Sequence, residues 1–208
     1  MYLITDRTQT RGKPLLEVLE SAFRGGVRAV QVREKDLSGR ELYELCDRVR
    51  TLAKACGAKV LVNDRIDIAL ALDLDGVHLG GAGFPVVEAR KLLGSARLIG
   101  ASTHSLAEAK AAEQAGADFI TFGPVYATPS KAGYGPPVGL QALQEAVRAV
   151  AVPVFALGGV GLSNLQEVRS AGAFGIAMIS AILAADDPKD AAASLLAAWR
   201  GKGGEERG

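Results

Sequence analysis

The sequence predicts an α/β protein that folds as a single (β/α)8 TIM barrel over residues 1–200, followed by a disordered C-terminal tail at 201–208. Apolar runs of strand length alternate with segments of helical periodicity along the whole chain, and no linker divides them. Several strands follow a similar glycine-bearing helix end, as in Gly25-Gly26, Ala115-Gly116 and Ala171-Gly172. An open doubly wound sheet is the alternative, but the first strand is not followed by Gly-x-Gly-x-x-Gly.

The strands are expected where continuous apolar runs end in polar or glycine residues, which is typical of parallel strands covered by helices. In chain order they are Tyr2–Thr5, Arg28–Arg33, Lys59–Val62, Gly76–Gly80, Leu98–Ser102, Phe119–Phe122, Pro153–Leu157 and Gly175–Ile179.

The helices are expected where apolar residues recur with helical spacing between a capping residue and a glycine or proline. Pro14 opens the first, which Gly25-Gly26 closes, and Ser38 caps the second. The second helix is expected at about Gly39–Cys56. The later helices are expected at about Ile66–Leu72, Val86–Leu93, Ser105–Ala115, Leu140–Val150, Asn164–Ala171 and Lys189–Trp199, with a short turn at Ala181–Ala184.

Composition excludes several classes of function. Hydrophobic residues make up 49% of the 208, enough for a substantial core, and the net charge of +1 disfavours a dedicated nucleic-acid or membrane-surface protein. The N-terminus resembles no signal peptide, and no apolar run reaches about 18 residues. Cys46 and Cys56 lack metal-ligand spacing and indicate reduced thiols, so we expect a soluble cytoplasmic protein.

The end of the second strand carries the strongest functional signal. If the extended backbone continues, Gln31, Arg33 and Lys35 project to one side, where two cations favour an anion, above all phosphate. A strand end fraying into solvent is the alternative. In a barrel, however, all strand ends meet at one mouth, and the ends here collect polar and glycine residues, including Ser102. This clustering favours the anion site.

A second anion site is expected after the last two strands, the usual phosphate position of this fold. Gly158 and Gly159 allow close backbone approach, and Ile179-Ser180 begins a short turn, although Gly-Gly alone also suits a tight turn. The long loop after the sixth strand, with Thr128, Ser130 and Lys131, also indicates an anion site, and Lys131 is expected to reach an anion held by Arg33 and Lys35. Two anion sites in one mouth indicate two phosphorylated ligands or one bisphosphate.

Three further side chains have two possible roles each. Asp64, beside Asn63, suits a hard cation such as Mg²⁺ but also suits a cap for the following helix. His78 is either an acid–base group or a hydrogen-bonded residue inside the barrel, and His104 is more typical of a loop before a helix.

Taken together, these motifs resemble the thiamine phosphate synthase/TenI family. They occur in family order and cover nearly the whole chain: Tyr2–Asp6, Gln31–Asp36, Val62–Arg65, Gly76–Gly80, Ser102–Ser105, Phe122–Lys131, Gly158–Val160 and Ile179–Ile182. The resemblance implies a TIM-barrel transferase that joins 4-amino-2-methyl-5-hydroxymethylpyrimidine diphosphate to a thiazole phosphate and releases pyrophosphate. It also implies a homodimer.

The resemblance implies roles residue by residue. It assigns diphosphate binding to Arg33, Lys35, Asn63 and Lys131. It also places the pyrimidine near Gln31, and Thr128 and Ser130 near the ligands. The thiazole phosphate is held at Gly159 and Ile179-Ser180, and Mg²⁺ is held by Asp64.

The chain departs from the family pattern in two respects. Synthases usually follow His-Leu-Gly with Gln-x-Asp, whereas this chain has Gly81-Ala82-Gly83 and so lacks the second metal carboxylate. TenI-type proteins also lack that pair, but those that isomerise the thiazole phosphate place a histidine where this chain has Pro124. The Thr128–Lys131 loop is synthase-like, so we expect a synthase, with a TenI-type tautomerase or a non-catalytic thiazole or thiamine phosphate sensor as alternatives.

Overall fold

The computed structural model describes residues 1–128 and 136–201. Within them, parallel strands form a closed barrel in the order β1 to β8, so each strand pairs with its neighbours in sequence and β8 returns to β1. The strands are β1 Tyr2–Ile4, β2 Ala29–Val32, β3 Lys59–Asn63, β4 Gly76–Leu79, β5 Leu98–Thr103, β6 Phe119–Phe122, β7 Val154–Leu157 and β8 Gly175–Met178. The predicted (β/α)8 barrel is confirmed.

Helices connect the strands and cover the barrel. They are α1 Leu15–Arg24, α2 Gly39–Ala55, α3 Ile66–Ala71, α4 Val86–Leu93, α5 Leu106–Gln114, α6 Gly139–Ala149, α7 Leu165–Ser170, α8 Ser180–Leu183 and α9 Pro188–Arg200. Ser38 caps α2 as expected, because its hydroxyl accepts from Glu41 N while the Glu41 carboxylate accepts from Ser38 N.

Alternation along the strands separates two packed layers. Leu3, Val30 and Val62 point outward and pack in the cluster that includes the inward faces of the helices. Tyr2 and Ile4 point inward and pack with Leu61, Phe119 and Ala177 inside the barrel. The same alternation turns the polar residues Gln31, His78 and Thr121 into the barrel, where each is at most 2% exposed.

Two short elements differ from the expectation. A 3-10 helix at Arg7–Gln9 was not predicted; the Asp6 carboxylate accepts from Thr8 N at its start. The expected turn at Ala181–Ala184 is the helix α8, which begins at Ser180. Segments this short have no hydrophobic period, so their sequence does not distinguish a turn from a helix.

In the part of the chain that the structure describes, no helix has both the length and the apolar character needed to cross a bilayer. Both cysteines are free thiols, with Cys46 buried in α2 and Cys56 at its C-terminal end. The single domain over 1–200 and the disordered tail remain predictions, and residues 202–208 lie outside the described residues.

Candidate active site at the barrel mouth

A cleft of about 390 Å³ opens at the C-terminal ends of the strands. Its walls come from the ends of β1 to β5 and from β7 and β8, so residues distant in sequence meet there. The lining residues are Ile4, Asp6, Gln9, Gln31, Arg33, Lys35, Asn63, Asp64, His78, Gly80, Gly81, Ala82, Gly83, Ser102, His104, Leu157 and Ile179.

The two cations after β2 both face this cleft. The alternation of side chains continues past the end of β2 at Val32. Arg33 and Lys35 line the cleft, whereas Glu34 between them is buried on the opposite side of the segment. Arg33 N donates to Thr5 Oγ1 at 2.9 Å, which ties the segment to the end of β1. A diphosphate entering the cleft would therefore meet two positive side chains on one wall.

Glu34 and Arg7 hold this wall from behind. The Glu34 carboxylate accepts from Arg7 N at 3.1 Å and from Arg7 Nη1 at 3.2 Å, and the Arg7 guanidinium donates to both carboxylate oxygens of Asp36. The 3-10 helix after β1 is thus joined to the segment after β2. A buried, paired carboxylate at residue 34 restrains the backbone that carries both cleft-lining cations.

Asp64 has an unusual backbone conformation, and each oxygen of its carboxylate accepts a hydrogen bond. Its φ is +55°, in the left-handed region, and its N donates to His78 O at 3.0 Å. One carboxylate oxygen accepts from Gly80 N and the other from Asn63 Nδ2, each at 2.9 Å. The alternative role of Asp64 as a helix cap is wrong, because Arg65 is the N-terminal cap residue of α3 and no side-chain capping bond is present.

The loop that lacks the second carboxylate closes onto Asp64. A Cβ atom added to Gly83 would lie 2.2 Å from Asp64 Oδ1, so position 83 faces the Asp64 carboxylate directly. The described residues contain no group of three or more His, Cys, Asp or Glu side chains that could hold a metal ion. The donor set at Asp64 therefore fits a Mg²⁺ ion only if a bound diphosphate brings further oxygen ligands, which is the usual binding mode of that ion.

A buried hydrogen-bonded chain forms the floor of the cleft. Gln31 Nε2 donates to the Tyr2 hydroxyl at 3.2 Å, and that hydroxyl lies 3.3 Å from His78 Nδ1. On the other side of the imidazole, His78 Nε2 lies 3.0 Å from Ser102 Oγ and 3.5 Å from Thr121 Oγ1. His78 is thus the hydrogen-bonded barrel residue of the two expected roles, and it also lines the cleft.

Burial, together with the positive charge of Arg33, lowers the pKa of His78 to about 3, so its imidazole is neutral near pH 7. In the unfolded chain this side chain takes up a proton below about pH 6.5. Folding stability should therefore decline as the pH falls from about 6.5 towards 3, by at most about 1.4 kcal/mol per pH unit from this residue.

We expect His78→Gln to remove this contribution, so that the free energy of unfolding of the variant depends less steeply on pH over that window than that of the unmodified protein. Urea unfolding at a series of pH values measures the difference. Equal slopes for His78→Gln and the unmodified protein would show that His78 titrates normally when folded.

For His104 the sequence favours a loop before a helix over an acid–base role, and the structure brings it into the cleft wall. It lies just past β5, lines the cleft, and its Nδ1 donates to Gly123 O, which fixes the proton on that nitrogen because a carbonyl oxygen can only accept. Asp6, at the end of the first strand, also lines the cleft, and Gln9 enters it through the unpredicted 3-10 helix.

A second, smaller cleft of about 80 Å³ adjoins the first and shares Leu157 and Ile179 with it. Gly158 and Gly159 line it, with φ of +96° and +66°, and Ser180 borders it at the start of α8. By this measure about 10–15 Å³ holds one water molecule, so the space is large enough for a small group such as a phosphate. Thr128 also lines this cleft, whereas Ser130 and Lys131 lie outside the described residues.

Comparison with known proteins agrees with this arrangement. The family model described as thiamine monophosphate synthase matches residues 1–182, a range that contains every residue lining the two clefts. The chain belongs to the thiamine monophosphate synthase family. Only α9 lies wholly beyond the matched range among the elements that the structure describes.

Relatives and a solved structure support the assignment over nearly the full length. A Geobacter sulfurreducens protein that is provisionally named a thiamine-phosphate synthase is 56% identical over 197 residues. The match covers 95% of this chain and 92% of the Geobacter protein. The thiamine-phosphate synthase of Roseiflexus castenholzii is 41% identical, covering 94% and 86%. The structure of thiamine phosphate pyrophosphorylase from Pyrococcus furiosus superposes with a TM-score of 0.87 at 39% identity, covering 96% of this chain and 94% of that one.

Proposed function

We propose that this chain is a thiamine phosphate synthase: it joins 4-amino-2-methyl-5-hydroxymethylpyrimidine diphosphate to a thiazole phosphate and releases pyrophosphate. The observation that carries the proposal is the pair of adjoining clefts in one barrel mouth, one with cations on its wall and one lined by glycines. They match a diphosphate and a monophosphate on two substrates that must react with each other. The names of the relatives support the same reaction.

In the proposed reaction, the bond between the pyrimidine methylene carbon and the diphosphate oxygen breaks, and the thiazole nitrogen then bonds to that carbon. Arg33 and Lys35 stabilise the negative charge that develops on the departing pyrophosphate, with Asn63 beside them and Lys131 predicted to join them. Asp64 would hold a Mg²⁺ ion carried on the diphosphate, and such an ion would supply further charge neutralisation.

The second cleft positions the other substrate. The backbone at Gly158 and Gly159 and the segment Ile179-Ser180 are proposed to hold the thiazole phosphate. Because the two clefts share Leu157 and Ile179, a substrate anchored in one can reach a substrate anchored in the other. Holding both reactants together replaces a bimolecular encounter by an intramolecular one.

The test is turnover of the two phosphorylated precursors with and without Mg²⁺, followed by detection of thiamine phosphate and of pyrophosphate in equal amounts. Formation of both supports the synthase. Isomerisation of the thiazole phosphate alone would instead support a TenI-type tautomerase. Tight binding of thiazole or thiamine phosphate without turnover would support a sensor.

The Mg²⁺ proposal makes a separate prediction at Gly83. Gly83→Asp places a second carboxylate against Asp64 and forces Asp64 to shift, since the added Cβ would lie 2.2 Å from Oδ1. The repulsion should lower the melting temperature without metal, and Mg²⁺ should restore it. Affinity for Mg²⁺ should rise by about tenfold, because the charge on the ligands tunes affinity.

Gly81→Asp is the matched control for this prediction: it adds the same charge to the same loop, but its Cβ would have nothing within 4 Å. It should leave Mg²⁺ affinity near that of the unmodified protein. Calorimetric titration and thermal unfolding with added Mg²⁺ measure both variants. An identical Mg²⁺ response of the two would mean that position 83 does not complete a metal site.

We also propose that the protein is a cytoplasmic homodimer that acts on small phosphorylated substrates and binds neither nucleic acid nor membranes. The near-neutral net charge of +1 supports the absence of a nucleic-acid partner. The dimer follows from family resemblance. Size-exclusion chromatography with light scattering measures the mass of the protein in solution. A mass near 21.6 kDa, that of one chain, would contradict the dimer.

A further inference from the structure

Tyr2 lies beneath the cleft without lining it, and the proposed reaction assigns it no role. Its side chain is 1% exposed and sits inside the barrel between His78, Phe119 and Phe155, with ring centroids 5.4–6.0 Å apart. Packing alone would be served equally well by phenylalanine. The hydroxyl, however, lies between two residues that do line the cleft, Gln31 and His78.

The donors in this chain can be assigned in order. The amide nitrogen of Gln31 can only donate, so the Tyr2 oxygen accepts from it at 3.2 Å. The Tyr2 proton then needs an acceptor inside a fully buried space, because a buried donor without a partner is costly. His78 Nδ1, at 3.3 Å, is the acceptor that the described residues provide.

The assignment continues to the rim of the cleft. If Nδ1 accepts, the proton of the neutral imidazole is on Nε2, which donates to Ser102 Oγ at 3.0 Å. At the other end, the Gln31 amide nitrogen is turned towards Tyr2, which leaves its oxygen as the atom offered to an amino group in the cleft. The proposed pyrimidine substrate carries such a group.

We propose that Tyr2 is a positioning residue of this site: its hydroxyl orients the Gln31 amide and holds His78 in the Nε2–H tautomer, so that Ser102 receives a hydrogen bond from beneath. The expected effect of Tyr2 on the reaction rate rests on the proposed synthase function, whereas the expected tautomer of His78 does not. Tyr2 touches no substrate in this scheme and acts through Gln31 and His78.

The tautomer can be read directly in the unmodified protein, because the chain has only two histidines. Long-range ¹H–¹⁵N spectra of the imidazoles should show His78 as Nε2–H and His104 as Nδ1–H, the second because its Nδ1 donates to Gly123 O. His104→Gln assigns the two sets of signals. A proton on His78 Nδ1 in the unmodified protein would overturn the proposal, whatever the activity.

Tyr2→Phe keeps the ring and removes the hydroxyl. We expect His78 to lose its fixed tautomer and kcat/KM for the pyrimidine diphosphate to fall about tenfold, with KM for the thiazole phosphate unchanged, since the variant leaves buried hydrogen-bonding groups unpaired only beneath the first cleft. Tyr43→Phe, which removes a hydroxyl from a half-exposed side chain on α2, is the matched control and should match the unmodified enzyme.

The outcomes separate the two proposals. A folded Tyr2→Phe protein with the His78 tautomer and kcat/KM of the unmodified enzyme overturns the positioning role. A rise in KM for the thiazole phosphate also overturns it, because that result indicates damage beyond the first cleft. If the unmodified protein makes no thiamine phosphate, the synthase proposal fails, and the His78 tautomer still decides the assignment of the hydrogen bonds.

Discussion

Replacing Arg33 with alanine is expected to lower kcat/KM for synthesis of thiamine phosphate by about 10²- to 10³-fold, the usual cost of removing one preorganised charge-stabilising donor. Arg33 is a half-buried cation on the wall of the larger cleft, close enough to affect the pKa of both His78 and Asp6. Its charge should stabilise the leaving pyrophosphate more than the bound substrate. Steady-state rates of pyrophosphate release measure the loss.

The fold should survive this change. Among the described residues, Arg33 N donates to Thr5 Oγ1, and alanine retains that backbone group. Thermal unfolding should therefore shift only slightly, as is usual for a substitution that breaks no buried contact. Arg33→Lys keeps the charge but loses the two-pronged contact with phosphate, so an intermediate rate is expected.

Arg50→Ala is the control for Arg33→Ala. Arg50 is an exposed arginine on α2 that pairs with Asp47 and lies outside both mouth clefts, so its removal should leave the rate unchanged. If Arg33→Ala and Arg50→Ala have the same rate, the larger cleft does not bind the diphosphate through Arg33.

The second large effect is expected at Gly159. Its φ of +66° is a conformation that costs a non-glycine residue about 1–2 kcal/mol, and an added Cβ would lie 2.7 Å from Tyr126 Cβ and 2.9 Å from Ala127 O. A backbone oxygen cannot rotate away as a side chain can. Gly159→Ala must therefore displace the smaller cleft or the segment that packs on it.

We expect Gly159→Ala to raise KM for the thiazole phosphate by about 10- to 100-fold, since each 1.4 kcal/mol of lost binding is a factor of ten. KM for the pyrimidine diphosphate should change far less. Gly161→Ala is the matched control, two residues along the same loop, because its Cβ would have nothing within 4 Å and its φ is not positive. Equal KM values for the two variants would exclude Gly159 from the phosphate site.

The sequence predicted most element boundaries to within about one residue, for physical reasons that act locally. α4 was predicted at Val86–Leu93 as observed, because Pro85 and Gly94 border a single amphipathic segment. The C-terminal ends of the strands could then be placed at one mouth, since all strands of this fold run in the same direction. Arg33, Asn63 and Gly159 were located together on that basis.

The partners of those residues could not be predicted in the same way. Gly80 N binds the Asp64 carboxylate across 16 positions of sequence, and Tyr2 meets His78 across 76. Neither pair leaves a periodic pattern in the sequence. The neighbours of His104 favour a loop before a helix, and only the tertiary structure places His104 in the cleft wall, where its Nδ1 donates to Gly123 O.

The sequence by itself determined the fold class, the order of the strands and the chemical character of the mouth, because apolar periodicity, capping residues and strand-end chemistry are all properties of short segments. Only the tertiary structure decided which atom faces which: that Glu34 is bound to Arg7 behind the cationic wall, that Gly83 meets Asp64, and that Tyr2 joins Gln31 to His78. The reason is that side chains on strands distant in sequence meet inside the barrel only when it closes, in a register that the pairing of all the strands sets together.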